Sequence, residues 1–162
     1  MNSCIRVFSY GFDLDLSVLH TIIGGPKPIC DGLVELSGFS RTFGVSGHLP
    51  GLVAKEDGSV SGALTMVTAE QLQRMDAWLL PYKRWRMATS RCSGLLGQAW
   101  VYLPVVVLHE YGRPSLATLQ TLCRGAVDRG LNDQSIQQLM GWLPCQQNQL
   151  LQAMGKNLVF SV

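Results

Sequence analysis

The chain has 162 residues, of which 47% are hydrophobic and 15% charged, and its formal net charge is +2. That length suits one well-buried core, and the composition excludes a disordered chain. The charge is too small to argue for nucleic acid or an anionic membrane surface as partner. In chain order, Ile5 to Tyr10 reads as a buried strand, with β-branched and aromatic residues at Ile5, Val7 and Phe8. Gly11 removes the side chain at the bend that follows. A helix over residues 15–23 comes next, capped by Asp13 or Asp15, with Leu14, Val18, Leu19, Ile22 and Ile23 as its apolar stripe. Such a strand-to-helix junction leaves backbone N–H groups that suit a small carboxylate or phosphate.

Gly24-Gly25-Pro26 stops this helix. Leu33 to Phe43 reads as one long strand, with a bulge at Gly38. Gly44 to Gly51 is a glycine-rich loop. Asp57-Gly58 between two strand-like runs, ending at Ala54 and starting at Val60, predicts a hairpin turn. Thr68 and Gln71 form the pattern of a capping box, opening a helix with Leu72, Met75 and Leu79 on one face. Pro81 ends it. Tyr82 to Arg91 then alternates, with Tyr82, Arg84 and Arg86 on one side, which predicts either an anion-binding row or a solvated sheet face.

Ser93-Gly94 marks a turn, and Ala99 to Val107 a further apolar strand disturbed by Pro104. The last third reads as helical. Ser115 caps one helix that Gly130 ends, Asn132 starts a second, and Cys145 to Met154 forms a third after Pro144. The tail from Asn157 to Val162 reads as a final strand or a frayed end. The five cysteines and three histidines show no metal-ligand spacing, so neither a metal nor a disulfide framework is expected. The apolar run from Val101 to Leu108 is too short to span a bilayer, and the start of the chain lacks leader character. A soluble cytoplasmic protein with no membrane partner is expected. It reads as one α+β domain over residues 1–162, helical from about residue 115.

Several short patterns carry a resemblance. Tyr10-Gly11-Phe12-Asp13-Leu14 looks like the Tyr-Gly-Ser-Asn-Leu type of opening of the γ-glutamylcyclotransferase-like (AIG2-like) superfamily. Gly38-Phe39 with Phe43, and Val60-Ser61-Gly62-Ala63-Leu64, are similar to that family's next two strands. Leu72 to Trp78 followed by Tyr82-x-Arg84 resembles its helix ending in Leu-Asp-x-x-Glu and the strand after it. Gly125-Ala126 with Gly130-Leu131 matches its late helix. These matches fall in the family's order across residues 5–142.

The resemblance implies a mixed β-sheet curled toward a small barrel, with helices packed outside. It also implies an activity without metal or organic cofactor. A γ-glutamyl amide would bind in the Tyr10–Asp13 loop, and its α-amine would attack its own γ-carbonyl. 5-Oxoproline would form and an amine would leave, with one buried glutamate moving the proton. Tyr10, Gly11, Phe12, Asp13, Tyr82 and Arg84 are the substrate-binding candidates on this view.

The pattern breaks at its essential position. Three residues beyond Asp76, where the family has its glutamate, stands Leu79, and leucine carries no proton. Phe12 and Asp13 also replace a small hydroxyl residue and an Asn or Leu, and an acid at 13 repels a substrate carboxylate. Asp13 and Asp76 are the candidate surrogate acids; Glu35 and Glu110 are less well placed. The alternative is an inactive family member, a pseudoenzyme, that binds a small γ-glutamyl or amine metabolite or a protein partner.

Overall fold

The computed structural model describes residues 4–44, 49–80, 82–90, 96–105 and 113–142. Five strands form a closed barrel in the order β1-β3-β2-β4-β5. They are β1 Ile5–Ser9, β2 Ile29–Phe43, β3 Pro50–Val67, β4 Tyr82–Ser90 and β5 Leu96–Pro104. All described pairings are antiparallel except β1 with β5, which run parallel and close the barrel. The sheet is therefore mixed. Among the described residues four helices flank it: α1 Leu16–Ile23, α2 Ala69–Trp78, α3 Leu116–Asp128 and α4 Asp133–Met140.

Strand alternation sorts the core into an inside and two outsides. Phe8, Val34, Leu36, Val60, Leu64 and Val101 turn inward and fill the barrel. Their neighbours turn outward. Val7 and Val67 meet α1 and α2 through Leu19, Ile23, Leu72 and Met75. Ala63 and Phe43 meet α3 and α4 through Leu119, Leu122, Ala126 and Leu139. The helices stay where they are because each buries its apolar stripe on one of these outer patches.

The helix starts follow the sequence closely. Asp15 caps α1, accepting from Ser17 N and Val18 N. Thr68 and Gln71 complete the expected capping box of α2. Ser115 and Asn132 cap α3 and α4. The Asp57-Gly58 hairpin requires correction: β3 runs through these residues without reversing. The reversal lies earlier, where Gly44 N donates to Leu49 O at 2.9 Å across the β2–β3 connection. In the ladder, Ser37 pairs with Ser59 and Phe39 with Ala54. Residues 55–58 therefore oppose the single residue Gly38, which has a φ of +83°. Asp57-Gly58 belongs to a wide bulge. A Cβ at Gly58 would lie 2.3 Å from the Phe39 carbonyl oxygen, so the backbones approach there too closely for any side chain.

The last apolar strand starts earlier than expected, at Leu96, and ends at Pro104. Pro81, the Ser93-Gly94 turn, Glu110, and the helix and tail expected beyond Pro144 lie outside the described residues.

Candidate functional site

Much of the strand-to-helix junction is held through its carbonyls. β1 ends at Ser9, and a single 3-10 turn over Phe12–Leu14 leads into the Asp15 cap. Leu14 N donates to Gly11 O at 3.0 Å, and Asp15 N to Phe12 O at 3.1 Å. Arg41 Nε donates to Tyr10 O at 3.3 Å. Arg129 donates to Leu14 O at 3.1 Å, and through Nη2 to Asp13 O at 3.2 Å and the Thr65 hydroxyl at 3.1 Å. Both guanidiniums are buried, and burial lowers the pKa of Arg41 to about 10, still cationic at neutral pH. Arg124 pairs with the Asp15 carboxylate. Burial alone would raise the Asp15 pKa, but hydrogen bonds from Ser17, Arg124 and Val18 outweigh it and hold the group below its ordinary range.

A small cavity of about 20 Å³ opens beside this loop. One wall is Tyr10, Gly11, Phe12 and Asp13; the other is Pro50, Leu79, Tyr82 and Tyr102. The volume is room for about one water molecule. The tyrosines point their hydroxyls away into protein acceptors. Tyr10 donates to Tyr102 O at 2.6 Å, Tyr82 to Pro50 O at 2.8 Å, and Tyr102 to Asp76 Oδ1 at 2.8 Å. Burial raises all three phenol pKa values, so the rings are neutral.

Asp13 is the acid of this cavity. Its Oδ1 accepts from Gly11 N at 3.1 Å. The residue keeps partial exposure, yet its carboxylate is packed inward. Burial raises its pKa, and Ser9, Arg129 and the Gly11 amide work in the opposite direction without cancelling the effect.

The structure thus brings Tyr10, Gly11, Phe12, Asp13, Leu79 and Tyr82 together around one hollow. Asp76 and Arg84 stand outside it. Arg84 Nη1 pairs with Asp76 Oδ2 at 2.7 Å, and Asp76 meets the cavity wall only through the Tyr102 hydroxyl. The row of Tyr82, Arg84 and Arg86 is not simply solvated, because the guanidiniums of Arg84 and Arg86 lie 5.0 and 5.6 Å from the centre of the Trp100 ring. Glu35 accepts from Ser59 at 3.3 Å and does not line the cavity. Pro50, Tyr102, Arg41 and Arg129 escaped the sequence reading. Tyr102 carried the one usable signal, a phenol inside an otherwise apolar strand.

Among the described residues, no group of three or more His, Cys, Asp or Glu side chains converges as metal ligands would, and no helix is long and apolar enough to cross a membrane.

Comparison with known proteins agrees with this fold. The sequence profile described as "Gamma-glutamyl cyclotransferase, AIG2-like" matches residues 7–116, more than half of the chain. No curated protein sequence gives a significant match. Among solved structures, the chain is similar to the uncharacterized protein loc79017 from Homo sapiens, with 18% identity, a TM-score of 0.77, and coverage of 87% of this chain and 89% of that one. A structure titled "Gamma-glutamyl cyclotransferase" also aligns at 18% identity with a TM-score of 0.77, covering 88% and 89%. The solution structure of At3g28950.1 from Arabidopsis thaliana aligns at 18% identity with a TM-score of 0.61, covering 88% and 85%. At such identities the likeness speaks for the fold alone.

Proposed function

This chain belongs to the gamma-glutamyl cyclotransferase, AIG2-like family, and on that premise we propose that its Tyr10–Asp13 pocket holds a small amine-bearing metabolite without closing 5-oxoproline by the family's route. The observation that carries this reading is Leu79. On the motif resemblance it stands where the family has its glutamate; it lines the cavity and packs with Val7, Leu72 and Met75 in the outer core. No proton can pass through it. The second support is Asp13, whose carboxylate already engages the Gly11 amide. That amide is one the family resemblance assigns to the substrate carboxylate, and two carboxylates at one amide repel. An ammonium group is the complementary ligand, paired with Asp13 and surrounded by tyrosine and phenylalanine rings. A ligand larger than water must first enlarge the hollow, and Phe12 on its wall is the side chain to displace.

A second reading is favoured by one feature: burial raises the pKa of Asp13, which suits a carboxyl group to proton transfer. In it, Asp13 replaces the lost glutamate and the chain still cyclises a γ-glutamyl amide. One experiment separates the two. The protein and its Asp13→Asn variant are incubated with a panel of γ-glutamyl amides and primary amines, while 5-oxoproline release and melting temperature are followed. Primary amines are expected to raise the melting temperature of the unmodified protein only, with no 5-oxoproline formed. Release of 5-oxoproline that Asp13→Asn abolishes overturns the binding reading in favour of the second. A melting temperature that no amine moves overturns it outright.

A further inference from the structure

The seam between β1 and β5 is paired at two positions among the described residues, Val7 with Trp100 and Phe8 with Val101. On the N-terminal side of these pairs lies an open groove of about 450 Å³. This is a metabolite-sized space, more than an order of magnitude larger than the hollow beside Gly11. Its polar lining is one-sided. Arg6 enters from β1, Arg86 from β4 and Gln98 from β5, and among the described residues no acidic side chain lines it. Ile5, Met66 and Trp100 supply the apolar part.

The two guanidiniums are held in different ways. Arg6 is anchored through Nε to the Asp31 carboxylate at 2.9 Å. Arg86 lies over the Trp100 ring at 5.6 Å. A ring contact positions a guanidinium without consuming its in-plane N–H donors. Arg84, over the same ring at 5.0 Å, is by contrast paired with Asp76. Arg86 is thus pre-positioned by the ring, and Gln98 lines the same space with an amide. That combination matches a planar or tetrahedral oxyanion.

We propose that this seam is a second binding site, separate from the Tyr10–Asp13 pocket, for a small metabolite bearing a carboxylate or phosphate group. Arg86 and Arg6 hold the anion, Gln98 fixes its orientation, and Ile5 and Met66 receive its apolar portion.

The test uses the full chain and three probes: inorganic phosphate, succinate and phenylacetate. Each is titrated at constant ionic strength against chloride, by calorimetry and by the fluorescence of the tryptophans, one of which stands in the site. At least one probe is expected to saturate. Arg86→Gln is expected to weaken it about tenfold or more. Lys83→Gln, on the other face of β4 and with the same loss of charge, is expected to leave it unchanged. Arg6→Gln serves as the second site variant should Arg86→Gln fail to fold. Which probe binds separates phosphate from carboxylate ligands. The proposal is overturned if no probe saturates below about 10 mM, or if Lys83→Gln weakens binding as much as Arg86→Gln, which would reduce the effect to surface charge.

Discussion

The Gly11 amide donates to the Asp13 carboxylate two residues further on, across 3.1 Å. The loop that could cradle an external anion therefore carries one of its own. Two consequences follow, one for binding, tested above with amines, and one for stability.

Because burial raises the Asp13 pKa, the folded protein keeps a proton that the unfolded chain releases near the ordinary aspartate value of about 3.9. Below that value the group costs the fold nothing. As the pH rises through the window up to the raised pKa, stability is lost. Asp13→Asn keeps an acceptor for Gly11 and removes the titration. Its melting temperature should match that of the unmodified protein at low pH and exceed it at neutral pH. Melting curves of both proteins across this range check the sign; a gap that does not change with pH would refute it.

Position 79 can be given the glutamate that the motif resemblance places there. Leu79 is 8% exposed within the α1–α2 core patch, so Leu79→Glu loses apolar burial and buries an acid. A cost of about 2–3 kcal/mol at neutral pH is expected. Burial would raise the new glutamate's pKa, so the penalty should shrink as the pH falls through that raised value and be smallest below the ordinary glutamate value of about 4.3. Urea denaturation at acid and neutral pH measures both; equal penalties would show that the side chain reaches solvent.

Arg129 holds the site from behind through Leu14 O, Asp13 O and Thr65, and its Nη1 is buried with no hydrogen-bond partner. Arg129→Met would fill similar volume and take the donor from the Leu14 and Asp13 carbonyls, while Thr65 keeps the Ser9 hydroxyl as partner. A loss of about 3 kcal/mol is expected. Equilibrium unfolding gives the number, and a change under about 0.5 kcal/mol would show that the loop holds without it.

Gly125 on α3 faces the same loop. A Cβ there would lie 2.4 Å from Asp15 N and 2.6 Å from Leu14 C. Both are backbone atoms at a helix start and cannot swing aside. Alanine favours a helix by up to about 1 kcal/mol, but forcing the two segments apart costs about 1–3 kcal/mol, so Gly125→Ala should destabilise on balance. A melting temperature at or above the original would contradict the close approach.

Local chemistry was legible in the sequence wherever a residue acts on its near neighbours. The Asp15 and Thr68 caps, the Gly38 bulge and the apolar faces of the helices are of that kind, and the order of short motifs placed the family. Asp57-Gly58 misled because a turn dipeptide states that the chain departs from a plain strand, not that it reverses. Its partner strand decided the outcome, with one residue set against four. Asp76 is one helical turn from Leu79, as expected. Periodicity does not reveal that Arg84 and Tyr102 claim both of its oxygens. Arg41 and Arg129 reach the loop from distant parts of the chain, and no short pattern announces such a contact.

The wide ribbon of β2 and β3 also bears on how the barrel assembles. Its two strands are consecutive, joined across Gly44 and Leu49, and together they form the longest ladder among the described residues. Joining Val7 to Trp100 demands closure of a far longer stretch of chain, at greater entropic cost. During refolding, amides of β2 and β3 should gain protection from hydrogen exchange ahead of those in β1. The cylinder would then be zipped shut at the Val7–Trp100 pair, and the mouth lined by Arg6 and Arg86 would be the last part of the protein to take shape.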